Sequence, residues 1–319
     1  MYNRNLIIIE LYTNGYRAEE IAVKCNCSIG TVYNVLKKNS IKTRDSFGGI
    51  KTDLRNQVIQ MYLNFESVNS IKNKLGITQS KINRILKEGN VPRISQSKRN
   101  NPHLIEDYFT EINDVNKAYW VGWLITDGSL LDKDHSISIS LQKGDQHILE
   151  VLQKDLQIDN KIKPFNGDYV KFYFSCKSLY TDLLKYGLKQ NKTFDITIPE
   201  LDDSLYPALL RGCFEGDGGL SILNSRGKEE LELSFTGNIY TVTKFNELIS
   251  KFTGIKLRKI TKNNSIYRIR WSNKQEIITI LTFLYKDCGE HKLDRKYNKY
   301  LQILGNTEIN SEIKASESS

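Results

Sequence analysis

Two aspartates stand in matching places in this chain. Asp127 closes the stretch Tyr119-Trp-Val-Gly-Trp-Leu-Ile-Thr-Asp-Gly128, and Asp217 closes Leu209-Leu-Arg-Gly-Cys-Phe-Glu-Gly-Asp-Gly218. Each follows an apolar run, precedes a glycine and has another glycine five positions before it. An apolar run of this length without proline predicts a buried helix. The closing glycine predicts its C-terminal stop, in a left-handed conformation. A carboxylate at the negative end of a helix dipole is unfavourable by about a few tenths of a kcal/mol, so its occurrence twice predicts a positive group beside both.

The residues that must bring the two together are small. Gly122 and Thr126 are four apart, as are Gly212 and Gly216, giving each helix one nearly flat face. Flat faces let two helix backbones approach closely. Packing through them places Asp127 and Asp217 at one end of the pair. Two adjacent carboxylates repel, and one protonates unless a cation neutralises them. Oxygen ligands with room left for water suit Mg2+.

Trp120 to Gly128 and Leu210 to Gly218 resemble the two copies of the motif that names the LAGLIDADG homing endonucleases. The match is loose at several letters but keeps the third-place glycine (Gly122, Gly212) and the final Asp-Gly in both copies. The unremarkable alternative is two buried helices with glycine caps and no shared chemistry. The resemblance covers roughly residues 105–303. It implies an α+β fold of two pseudo-symmetric αββαββα repeats, whose antiparallel sheets form a saddle over DNA. It implies Asp127 and Asp217 as direct ligands of two or three Mg2+ ions, with Mn2+ as a substitute. It also implies a lysine late in each repeat, for which Lys192 and Lys292 are the candidates, a solvated surface role being the alternative for each. Gln142 is a further candidate for orienting water, and Thr236 is read as its counterpart in the second repeat. Glu215, where the first repeat has Ile125, reads as a flanking carboxylate.

The elements around these motifs repeat. After each Asp-Gly a short strand is expected. Then come a strand at 136–141 or 231–235, a helix at 145–156 or 240–252, a strand pair at 161–165 with 169–175 or 256–260 with 267–271, and a helix at 179–186 or 275–285. The basic residues Lys161, Lys163, Lys171, Lys256, Arg258, Lys259, Arg268 and Arg270 fall on expected strands, and alternation lets only some share one face.

The net charge of +9 is uneven: residues 1–100 carry 17 Lys and Arg against 7 Asp and Glu, and the remainder is close to neutral. A basic front half predicts phosphate contacts. That half reads as two units of three short helices, each with a tight turn before the last, the pattern of a tandem helix-turn-helix. Ser28 and Thr78 occupy the same place fifty residues apart. The third helices would offer Thr31, Tyr33, Asn34, Lys37 and Lys38, and then Gln79, Ser80, Lys81, Asn83, Arg84 and Lys87, types that reach base edges and phosphates. Two packing modules without DNA contact are the alternative. The expected division is a first unit at 1–45, a second at 46–92, a basic linker at 93–113, repeats at 114–200 and 201–304, and a polar tail at 305–319.

Hydrophobic and charged fractions of 39% and 26% are those of a globular protein. No run is apolar enough to span a bilayer, and no signal peptide opens the chain. Five scattered cysteines suggest a reducing interior, and the expected location is intracellular, in the cytoplasm or nucleoid of a bacterial, phage or organellar host. Four histidines, none in a His-Asn-His context, leave little for a histidine-based nuclease. The chain reads as a free-standing monomer that cuts both strands of a long asymmetric duplex site, promoting mobility of its own intron or gene. A non-catalytic regulator on the same scaffold, or an RNA maturase bound to its own intron RNA, are the competing readings.

Overall fold

The computed structural model describes residues 4–41, 52–190, 195–225 and 228–317. The chain forms two compact units, Met1–Ile94 and Ser95–Ser319.

Among the described residues the first unit's regular structure is helical: α1 (Arg4–Thr13), α2 (Ala18–Lys24), α3 (Ile29–Lys38), α4 (Thr52–Leu63), α5 (Val68–Leu75) and α6 (Gln79–Glu88). Three helices are too short to stand alone, so each triplet closes on a core of its own. Ile8, Tyr12, Ile21, Val32, Val35 and Leu36 make one, and Val58, Tyr62, Ile71, Ile82, Ile85 and Leu86 make the other. Every member of the second lies fifty residues after its counterpart in the first. The caps repeat as well. Ser28 Oγ accepts the Thr31 N–H at 3.1 Å, and Thr78 Oγ1 accepts that of Lys81 at 3.3 Å.

The second unit begins with α7 (Gln96–Asn100), inside the stretch whose composition suggests a linker. Leu104, Tyr108, Phe109 and Ile112 are already part of its core, and Lys98 Nζ donates to the Leu104 carbonyl at 2.6 Å. The polar composition of this stretch reflects capping and local hydrogen bonds. Then the order αββαββα runs twice. The first pass is α8 (Val115–Thr126), β1 (Gly128–Leu131), β2 (Ser136–Gln142), α9 (Gln146–Leu156), β3 (Lys163–Phe165), β4 (Tyr169–Ser175) and α10 (Lys177–Lys185). The second is α11 (Tyr206–Asp217), β5 (Gly218–Ser225), β6 (Lys228–Gly237), α12 (Ile239–Thr253), β7 (Thr261–Asn263), β8 (Ile266–Trp271) and α13 (Lys274–Leu284). Helix α14 (Asp294–Glu317) follows, extending through residues expected as a polar tail. The two antiparallel sheets have the same order, β1-β2-β4-β3 and β5-β6-β8-β7. The fold is therefore the α+β double repeat that the motifs imply.

Two expectations are corrected. The stretch 256–260 is irregular, and the strand begins only at Thr261. The Asn246 side chain, on α12, accepts the Arg258 N–H at 3.1 Å and donates to its carbonyl at 2.8 Å, replacing a ladder partner. Neither Gly128 nor Gly218 is left-handed; Gly218 is extended, at φ −90° and ψ 154°. Glycine is needed here for space. A Cβ on Gly128 would lie 2.6 Å from Leu124 Cα, and one on Gly218 would meet the Phe214 ring and carbonyl. The absent side chain lets a strand start directly at the end of its helix.

Candidate functional site

Helices α8 and α11 form the axis of the second unit. Residues Ala118 to Ile125 of α8 and Ala208 to Glu215 of α11 are all buried. The flat faces meet as expected. A Cβ on Gly122 would lie 2.8 Å from Cys213 N and 3.0 Å from Gly212 Cα, and one on Gly212 would lie 3.0 Å from Trp123 N. One turn further on, Gly216 packs on Thr126 and its would-be Cβ lies 3.2 Å from Asp127 Oδ2. Glycine at these points is what lets the Asp127 carboxylate reach the end of α11, where Asp217 stands. Asp127 is exposed and Asp217 half-buried.

A buried lysine lies close to this end of the helix pair, and it is not Lys292. Lys192 lies outside the described residues. Lys292 turns back to the Gly289 carbonyl and stacks 5.2 Å over the Tyr297 ring. One helical turn on, Lys296 of α14 is 3% exposed and donates to the carbonyls of Phe214 at 2.7 Å, Glu215 at 2.9 Å and Gly218 at 2.5 Å. It adds a charged donor at the C-terminus of α11, where helix carbonyls run out of intrahelical partners; the Phe214 carbonyl also accepts the Gly218 N–H. Burial and the adjacent Arg295 charge bring the Lys296 ammonium down to about 7, against the opposing pull of Glu215, Asp127 and Asp217.

Glu215 supports this arrangement from beneath. Its carboxylate accepts the Tyr119 hydroxyl at 2.6 Å and the Leu293 N–H at 2.8 Å, tying α8, α11 and the start of α14 together. Burial pushes its pKa up, while those two hydrogen bonds and the charges of Arg211 and Lys296 oppose the rise. Arg295 reaches the buried Asp145 of the first repeat at 3.0 and 3.2 Å. His291 is buried and meets Asp155 Oδ2 at 2.7 Å. Asp155 Oδ2 also accepts from Trp120 Nε1 at 2.6 Å.

Thr236 Oγ1 donates to the Asp217 carbonyl at 3.0 Å. The pairs Gly128↔Ile139 and Gly218↔Phe235 put Ser140, not Gln142, in the place of Thr236; the counterpart of Gln142 is Asn238, which caps α12. The pairing of Gln142 with Thr236 is therefore two residues out of register. Gln142 is exposed at the end of β2, opposite Tyr169.

The outward face of the first sheet carries Lys163, Phe165, Tyr169, Lys171 and Tyr173, with Lys161 just before it. Lys171 Nζ lies 5.1 Å over the Phe165 ring. On the second sheet Arg268 and Arg270 share a face with Ser234 and Glu232. Arg268 pairs with Glu232 and reaches Ser234 Oγ at 3.1 Å, and Arg270 lies 3.4 Å from Glu232. Arg258 lies apart from this face, paired with Glu276 of α13. On the third helices of the first unit, Tyr33, Asn34, Lys37, Lys38, Gln79, Ser80, Asn83 and Lys87 are exposed; Thr31, Lys81 and Arg84 are half-buried.

Among the described residues no three His, Cys, Asp or Glu side chains converge on one point. The donors on offer are thus two carboxylates at a partly open position. That set fits a hard divalent ion that takes one or two carboxylates and completes its shell with water and phosphate oxygens.

No protein-family profile matches the sequence, and no curated protein matches it. Among solved structures the chain is similar to I-SmaMI bound to an uncleaved DNA target in the presence of calcium ions, at 15% identity and TM-score 0.46, over 63% of this chain and 97% of that one. It is similar to the LAGLIDADG meganuclease I-AabMI bound to uncleaved DNA at 13% identity and TM-score 0.44, over 61% and 91%. For the I-LtrWI LAGLIDADG homing endonuclease bound to target DNA, the values are 16%, 0.44, 64% and 92%.

Proposed function

We propose that the second unit is a metal-dependent, site-specific endonuclease that cuts both strands of duplex DNA, of the LAGLIDADG homing type, and that the first unit adds affinity and site length. The observation that carries this reading is the convergence of Asp127 and Asp217 at one end of a glycine-locked helix pair, with the buried Lys296 ammonium beneath them. A purely structural helix pair gains nothing from two carboxylates at its negative ends.

Cutting a phosphodiester requires water to attack phosphorus opposite the departing 3′ oxygen. Asp127 and Asp217 would hold Mg2+, which stabilises the charge building on the phosphate oxygens. Thr236 fixes the Asp217 backbone, and Lys296 fixes the end of α11, so the carboxylates are positioned before substrate arrives. The outward sheet faces start from this point, because β1 and β5 begin at Gly128 and Gly218. Lys163, Lys171, Arg268 and Arg270 would follow the backbone of a duplex whose scissile bonds lie over the aspartates. One chain with both aspartates serves two strands as a monomer. Mobility of its own intron or gene is the biological outcome this chemistry supports.

The test is incubation of the protein with the uninterrupted DNA that flanks its own gene's insertion point, with Mg2+ and with chelator. The reading requires a double-strand break at one position that chelator abolishes. Tight binding to that DNA without cutting, in Mg2+ and in Mn2+, would overturn it in favour of a non-catalytic regulator.

A further inference from the structure

The first unit is duplicated core for core but not face for face. Six core residues match between the triplets at a fifty-residue offset, Ala18 and Ala22 being buried in the first alone, and the caps of α3 and α6 match with them. Burial along α3 and α6 follows the same sequence of positions apart from Asn34 and Arg84. The outward residues do not match: Tyr33 becomes Asn83, Asn34 becomes Arg84, and Lys38 becomes Glu88, while Lys37 and Lys87 keep their place.

The exchange at Lys38 and Glu88 is coupled to the one beside it. Arg84 Nε donates to Glu88 Oε1 at 2.7 Å, and Glu88 Oε2 lies 3.8 Å from Arg55 Nη1 on α4. A carboxylate between two guanidiniums holds Arg84 along its helix. In the first copy the same position is a lysine, and no guanidinium needs holding. The basic excess of residues 1–100, 17 against 7, calls for a polyanion as the common ligand.

We propose that the two copies read two different short segments of one duplex DNA: the first through Tyr33 and Asn34, the second through Asn83 and Arg84, with Glu88 as a positioning residue for Arg84. An amide offers a donor and an acceptor to adenine, and a guanidinium offers paired donors to guanine. Lys37 and Lys87, common to both copies, suit the phosphates that carry no sequence information. The inference rests on the reading of the chain as a DNA-acting protein but not on its cutting.

The experiment uses the full chain with Asp127→Asn and Asp217→Asn, so that binding is read without cleavage. Bound duplexes are selected from a random pool and sequenced, and the selection is repeated with Asn34→Ala, Arg84→Ala or Glu88→Ala added. Asn34 and Glu88 are exposed and Arg84 is half-buried, and thermal melting confirms that each variant is folded. The expected consensus contains two unlike blocks beside the site that the second unit reads. Asn34→Ala erases base preference in one, and Arg84→Ala in the other, each losing about 5- to 150-fold discrimination. Glu88→Ala weakens preference at the Arg84 block alone. Variants that weaken all sequences equally, or that both blur the same block, or that leave the consensus unchanged, overturn the inference, as does selection of RNA over DNA. If the consensus behaves as expected while the unmodified chain never cuts it, the inference stands and the endonuclease reading falls. The reverse result separates them in the other direction.

Discussion

At the scale of single residues the account turns on close approach. Gly122 and Gly212 each stand where a Cβ would meet the partner helix's backbone, which cannot rotate away as a side chain can. Gly122→Ala or Gly212→Ala is therefore expected to cost about 3 kcal/mol or more. In a unit of this size that lowers the melting temperature by roughly 6–12 °C, measurable by calorimetry, and cutting should fall with it because the aspartates separate. Asp155 gives a second residue-scale prediction. Burial pushes its carboxyl up, but hydrogen bonds from His291, Trp120 and Tyr108 outweigh that and hold the pKa below its ordinary 3.8. A carboxylate depressed by folding stabilises above its unfolded pKa, and loses that contribution as pH falls through the folded value. Asp155→Asn should therefore be less stable at neutral pH and show a shallower loss of stability below about pH 4 in denaturant titrations.

At the scale of elements, the start of α14 is a structural strap as well as part of the site. Lys296 satisfies three carbonyls at the end of α11, and Arg295 ties the same turn to Asp145. Lys296→Met removes the charged donor from all three, and the Phe214 carbonyl keeps only the Gly218 N–H. The expected cost is about 1–3 kcal/mol in chemical denaturation, together with a larger loss in cutting rate than in affinity for the DNA. Equal losses in both would assign Lys296 to folding alone. This element also shows what was legible in advance. The helices bearing Asp127 and Asp217, their glycine contact and the need for a nearby cation follow from periodicity and the helix dipole. The identity of that cation does not. Lys292 and Lys296 are one helical turn apart, and only packing over roughly eighty residues of separation decides which one turns inward. Likewise the stretch 256–260 has strand-like composition, but Asn246 takes its backbone groups. Gln142 and Thr236 look equivalent until register makes Ser140 the counterpart of Thr236.

At the scale of the whole molecule, the chain combines a near-neutral double repeat with a basic duplicated front unit. The repeat order was legible because each αββαββα pass restarts at an Asp-Gly. The fifty-residue duplication keeps identity at Tyr12 and Tyr62, Ile21 and Ile71, and Leu36 and Leu86, and apolar character alone at the other three core pairs. If Lys37, Lys38 and Lys87 each neutralise a phosphate, replacing all three by Gln should flatten the slope of log affinity against log salt by about 2.7. It should do so with little change in the position of the cut. An unchanged slope would remove these lysines from the interface.

The most direct test of the central claim, that the two aspartates carry the chemistry, is strand-resolved cleavage of the target duplex by Asp127→Asn, Asp217→Asn and the double variant, each shown to bind that duplex as the unmodified chain does. The account predicts that the double variant cuts neither strand in Mg2+, and that each single variant is impaired, leaving nicked rather than linear product. A double variant that binds and still cuts both strands at the unmodified rate would contradict it.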